Sequence, residues 1–270
     1  MDLRVPEGFG LGLRYSFAED ALGSSRAPDW FELAPENWMG RGGFFRRIME
    51  GVRERFPVVC HGLSLSIGSP DELNYEFLRE LKGFLDEYEV EVYSEHLSFS
   101  SIGGDYLHDL LPLPFTERVV EFVSERIRVV QDYLERPLIL ENISYYYVPL
   151  KDMEEWEFIT AVLEESGAYL LLDVNNLYVN SVNHGYDPYG FIDRLPLDRV
   201  AYVHLAGHEK GERLLIDTHG ESVEVEVLNL MKHLLSKGVK VPVLLERDNN
   251  IPPYNELLEE LDRLRRFCGA

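Results

Sequence analysis

Residues 169–177 read YLLLDVNNL, a run of apolar residues that meets Asp173, Asn175 and Asn176 without a turn signal between. A short, continuous apolar run fits a strand buried on both faces, as in a parallel sheet covered by helices. Working outward, the same texture recurs at residues 9–16, 30–36, 58–67, 90–98, 137–144, 200–208 and 241–248. Longer, charged, helix-period segments lie between, at 71–88, 116–134, 152–165, 223–235 and 255–267. In the first, Leu73, Phe77, Leu81 and Phe84 line one face. Asp152 and Glu155 have the spacing of a capping box. Eight strand–helix repeats in a chain of 270 residues predict an α/β fold of the TIM (β/α)8 barrel type, one domain over residues 1–270. A doubly wound sheet is disfavoured because no phosphate-binding glycine motif follows a strand.

The chain carries 48 acidic against 26 basic residues, a formal charge of −22. With no basic run, this balance argues against nucleic acid and anionic membranes as partners. No apolar stretch is long enough for a transmembrane helix, and MDLRVPEGFG lacks the apolar centre of a signal peptide. Cys60 and Cys268 form no CxxC motif. A cytoplasmic protein with free thiols is expected.

In a barrel the active site lies at the C-terminal ends of the strands. Those ends carry His61, His96, Glu141 with Asn142, Asp173 with Asn176, His204 with His208, and Glu246 with Asp248. Asp217 and His219 follow the seventh strand. A lone strand-end histidine is ordinarily a hydrogen-bonded core residue. Six successive strand ends with ligand-type side chains are different, because buried carboxylates need a compensating cation. His and carboxylate ligands without thiolate suit zinc, manganese or iron, and their number suits two or three ions sharing a carboxylate. Strand alternation turns Cys60 away from the side of His61. If extended, Asp217 and His219 share a side. Arg14 reads equally as an anion site or as a partner for strand-end carboxylates. His108 and His233 read as ordinary loop or helix residues. Tyr145-Tyr146-Tyr147 is either a packed surface loop or the lining of a peptide entrance.

The runs FELAPENW, HGLSLSIGS, SEHLSFS, DLLPLPFT, LENISYY, LLLDVNNLYVN, HLAGH, IDTH and LLERDNNIP resemble the multinuclear non-haem iron-dependent oxidases. That family includes the oxidase of methanobactin biosynthesis, and the resemblance covers essentially the whole chain. It implies a xylose-isomerase-like TIM barrel, two or three irons in mixed Fe(II)/Fe(III) states, dioxygen, and modification of a ribosomally made peptide, commonly at cysteine. It also implies a small partner protein that presents the precursor. Zinc or manganese can replace iron in a purified preparation. The ligand order is more distantly similar to that of trinuclear zinc endonucleases. Carried over, it gives His61, His96 and Glu141 to one metal. Glu141, Asp173, His204 and Glu246 fall to a second, and Asp217 and His219 to a third. Asn176 stands where the endonuclease pattern has a histidine, and His184 is an alternative ligand there. Asp248 and His208 become groups that orient ligands or move protons, and Glu141 the bridge. Rival readings are a metal-dependent sugar isomerase or epimerase, an abasic-site endonuclease, and a barrel that only binds a partner or stores metal.

Overall fold

The computed structural model describes residues 3–269. Met1 and Asp2, where the segment read for a signal peptide starts, lie outside the described residues, as does Ala270. Eight parallel strands close a barrel: β1 (Phe9–Gly12), β2 (Trp30–Leu33), β3 (Val58–His61), β4 (Tyr93–His96), β7 (Leu138–Glu141), β8 (Tyr169–Asp173), β9 (Val200–Leu205) and β12 (Val243–Leu245). Helices follow them: α1 (Ala18–Gly23), α2 (Phe44–Arg55), α3 (Tyr75–Glu87), α4 (Glu117–Leu134), α5 (Glu155–Ser166), α6 (Val174–His184), α7 (Pro188–Ile192), α8 (Val225–Ser236) and α9 (Tyr254–Cys268). Two short antiparallel ribbons project from the mouth, β5 (Phe99–Ile102) with β6 (Asp105–Leu111), and β10 (Glu209–Lys210) with β11 (Leu215–Ile216). No helix among the described residues is long and apolar enough to cross a membrane.

The barrel interior has two storeys, set by the strand period of two. The lower is an apolar plug of Trp30, Val59, Val92, Ile139, Leu171, Tyr202 and Leu244. Gly10 leaves room for it, since a Cβ there would lie 2.5 Å from the Trp30 indole. Two residues further along each strand stand Glu32, His61, Ser94, Glu141, Asp173, His204 and Glu246, all buried. Alternate residues face outward into the larger core beneath the helices, where Cys60 is packed as a free thiol. Alternation therefore lifts polar side chains to the mouth and seals them from below.

The strands are shorter than the sequence runs, because the polar end of each run forms the rim. The run at 169–177 changes most. Asp173 ends β8 and caps α6, its Oδ1 accepting the Asn176 amide at 2.7 Å. Asn176 is thus a first-turn helical residue and not a strand residue. The capping box of α5 is Glu154 with Glu157, two residues beyond the expected pair, and Glu155 is buried instead. His108 belongs to β6, at φ +55°, and not to a loop or helix. Glu80, Asp86 and Glu87 are exposed, as solvated helix-face charges should be, and Glu89, exposed too, lies past the end of α3.

Candidate metal centre

Three groups of ligand atoms gather at the mouth with spacings that could hold a metal ion. They are His61–His96–Glu141, Glu141–Asp173–His204–Glu246, and His219–Glu246–Asp248. Glu141 joins the first two. Its Oε2 lies 2.9 Å from His61 Nε2 and 3.2 Å from His96 Nε2, and its Oε1 lies 3.7 Å from His204 Nδ1. Glu246 joins the last two, with Oε2 2.9 Å from His204 Nδ1 and 3.2 Å from His219 Nδ1. The Nε2 atoms of His61 and His96 face one another at 3.1 Å.

Several of these inward atoms have no hydrogen-bond partner although they are buried: Glu141 Oε2, Asp173 Oδ2, Asn176 Oδ1, His204 Nδ1 and His219 Nε2. Such atoms are costly unless something satisfies them. Divalent cations shared among the groups would satisfy them, so the donor set fits a multinuclear centre of nitrogen and oxygen ligands.

Without metal, the histidines answer the carboxylates by holding protons. Burial opposes a charged His96 ring, but Glu141 and Glu95 outweigh it and raise its pKa to about 9. His204 and His219 are lifted well above the usual range, against burial, by Glu32 and Glu246 in one case and Asp217 and Glu246 in the other. Burial pushes Glu141 and Glu246 up, yet the rings hold both below the ordinary carboxylate range. Burial wins at Asp173, whose pKa is well raised.

Asp217 and His219 meet, His219 Nε2 standing 3.0 Å from Asp217 Oδ1. They do not meet by strand alternation. His219 takes φ +45°, in the left-handed region, so the segment is not extended there. Its other nitrogen lies 3.3 Å from Asp248 Oδ2, so Asp248 joins the ligand-spaced group in place of Asp217. Asn176 hydrogen-bonds toward Glu141 and Asn142, at 3.4 and 3.1 Å, on the side of the bridge. His184 turns away, donating to the Tyr145 carbonyl at 2.8 Å and stacking on that ring. His208 reaches the centre only indirectly: its Nδ1 is 2.9 Å from Asn175 Oδ1, and the Asn175 amide donates to Asp217 at 3.0 Å. Arg14 pairs with Asp248 and lies 3.6 Å from Glu246, which favours the carboxylate-partner reading.

Sequence reading missed a supporting layer of Glu32, Glu95, Ser94 and Tyr202. Glu32 Oε1 lies 2.9 Å from His204 Nε2. Glu95 accepts the backbone amides of Leu65 and His96 at 2.6 and 2.7 Å, tying the loop after β3 to a ligand strand. The available signal was Glu32 itself, an acidic residue two positions after Trp30 in an apolar strand. Above the centre opens a cavity of about 810 Å³, lined in part by Arg14, Phe99, His108, Leu110, Tyr146 and Tyr147. Tyr145, Tyr146 and Tyr147 also line a second cavity of about 600 Å³, so the run stands between the two cavities. Tyr145 is buried on Glu155, whereas Tyr147 is 70 % exposed.

A closed barrel with a buried histidine–carboxylate cluster at its C-terminal mouth defines a xylose-isomerase-like TIM barrel. Solved structures share the fold. A xylose isomerase domain-containing protein of Salmonella typhimurium matches at TM-score 0.65 and 14% identity, each chain covered fully. Endonuclease IV of Thermus thermophilus matches at 0.61 and 19%, over 96% of this chain and 98% of its own. At these identities the likeness is one of fold. Residues 8–268 match the family model of the RiPP precursor modification enzymes MbnB/TglH/ChrH, which act on ribosomally made peptides, and the chain belongs to that family. A UPF0276 protein of Acinetobacter baylyi is 50% identical over 96% of this chain and 90% of its own length. One from Pseudomonas aeruginosa is 48% identical, covering 99% and 94%.

Proposed function

We propose that this peptide-modifying enzyme is a multinuclear iron, dioxygen-dependent oxidase that acts on a cysteine of its precursor peptide. The observation that carries the reading is the set of unpartnered, buried ligand atoms around Glu141, at the floor of an open cavity. His61, His96 and Glu141 would hold one iron, and Glu141, Asp173, His204 and Glu246 a second. His219 with Asp217 or Asp248, supported by Asn176, would hold a third. Bound iron would supply one-electron chemistry with dioxygen and a thiol-binding position.

The chain's own side chains do the rest. The apolar plug closes the floor, so a substrate enters only from the mouth. Tyr146, Tyr147 and the β5–β6 ribbon flank that mouth and would hold an extended peptide over the centre. Arg14 neutralises Asp248 and Glu246 at the rim, which favours approach of a thiolate. Asn175 fixes Asp217 and links it to His208, so that both side chains are held in one orientation. The negative surface would attract a basic leader segment or a basic presenting protein. The epimerase and endonuclease alternatives rest on fold likeness, and Asn176 departs from the endonuclease pattern.

The test is oxygen consumption by protein loaded anaerobically with Fe(II). The cysteine-containing peptide encoded beside its gene, presented with any small protein encoded there, should raise uptake above background and change mass. Equal uptake with and without peptide would refute the oxidase reading.

A further inference from the structure

Beneath the metal groups runs one hydrogen-bonded chain that no ligand motif marks. His61 Nδ1 lies 2.8 Å from Ser94 Oγ, and Ser94 Oγ lies 2.6 Å from the Tyr202 hydroxyl. Tyr202 donates to Glu32 Oε2 at 2.7 Å, and Glu32 meets His204 Nε2 at 2.9 Å. Every member is buried. The chain joins a histidine of the first group to a histidine of the second, on the side away from Glu141.

Proton counting fixes the direction of each bond. A carboxylate only accepts, so Glu32 takes the Tyr202 proton and the His204 Nε2 proton. The Tyr202 proton is then spent, and the 2.6 Å contact must use the Ser94 hydroxyl proton. Ser94 has no second proton, so His61 Nδ1 must be the donor to Ser94 Oγ. His61 is left with a bare Nε2, which faces His96 and Glu141. With metal bound in place of the proton that Nδ1 holds otherwise, His204 presents a bare Nδ1 toward Glu246, Glu141 and Asp173.

We infer that Tyr202 is a positioning residue that sets opposite tautomers on His61 and His204, so that the first offers Nε2 and the second Nδ1 to metal. The inference rests on the metal reading above. Groups behind metal-bound histidines typically change affinity 10–100-fold when removed. Because Tyr202 is the middle of the chain, its loss should weaken both sites, whereas loss of Ser94 should weaken only the first.

Zinc, being diamagnetic, allows a direct test. In zinc-loaded protein carrying 15N-histidine, long-range proton–nitrogen correlation should show N–H on Nδ1 of His61 and Nε2 of His204. In folded Tyr202→Phe, zinc competition should give about tenfold weaker binding at both sites, and in Ser94→Ala at the His61 site alone. Zinc bound with either N–H on the other nitrogen overturns this inference and leaves the metal reading standing, as does unchanged affinity in folded Tyr202→Phe. Failure of the wild-type protein to bind zinc overturns both. If Tyr202→Phe does not fold, the wild-type spectrum still decides.

Discussion

Oε2 of Glu141 stands 2.9 Å from Nε2 of His61, while the other oxygen of the same carboxylate turns toward the second ligand group. One side chain, 1 % exposed, thereby faces two candidate metal positions. If it bridges them, its removal differs in kind from that of a terminal ligand.

Glu141→Ala should lose about two metal ions per chain, and His61→Ala about one, in the regime of bridged two-metal sites. Elemental mass spectrometry beside circular dichroism checks this. Equal losses in the two folded variants would remove the bridge.

Metal and protons compete for the same nitrogens. His96, lifted to about 9 by Glu141 and Glu95 against burial, is protonated at pH 7 in the metal-free protein, and His204 and His219 are also raised well above their usual range. Loading at pH 7 should therefore release protons, and affinity should climb as pH rises toward 9. In the metal-free protein the sign is opposite. The stability gained from His96 is complete below about pH 6.5, its ordinary pKa, and is lost as pH rises through about 9. Calorimetry in buffers of different ionisation enthalpy counts the protons. No release would contradict the arrangement.

Glu155 gives a second pH dependence, outside the metal centre. Burial raises its carboxyl to about 7, against the Tyr145 and Tyr186 hydroxyls that favour the charge. A raised carboxyl contributes stability that is complete below its ordinary pKa and lost as pH climbs through 7. Glu155→Gln should remove this dependence, making the variant's stability relative to wild type improve by up to about 3 kcal/mol between pH 4.5 and 8. Denaturant titrations at both pH values read the difference.

Tyr147 is exposed and touches the entrance, so Tyr147→Ala should leave stability within about 0.5 kcal/mol. It should raise KM for the peptide several-fold with kcat little changed. An unchanged KM would place the peptide elsewhere.

The barrel and most of the side chains gathered at its mouth were legible because a period of two and a polar strand end are local signals. Val59 then His61, Ile139 then Glu141, and Leu244 then Glu246 repeat one pattern. Glu32 follows it too, but it supports His204 and is not in a ligand-spaced group, and only tertiary placement shows that. The helix at Val174 was hidden because LLLDV reads as one apolar run until Asp173 is seen capping it. The group at His219 was obscured by a left-handed backbone that no strand logic anticipates. His184 was misdirected for a related reason, since α6 carries it past the mouth onto Tyr145.

The central claim is a multinuclear centre built around Glu141, and anomalous diffraction at the iron edge tests it most directly. Crystals of protein loaded anaerobically with Fe(II) should show one peak among His61, His96 and Glu141 and another among Glu141, Asp173, His204 and Glu246. The two should lie about 3.5–4 Å apart, the separation of bridged two-metal sites. A single peak, or none beside Glu141, would contradict the account.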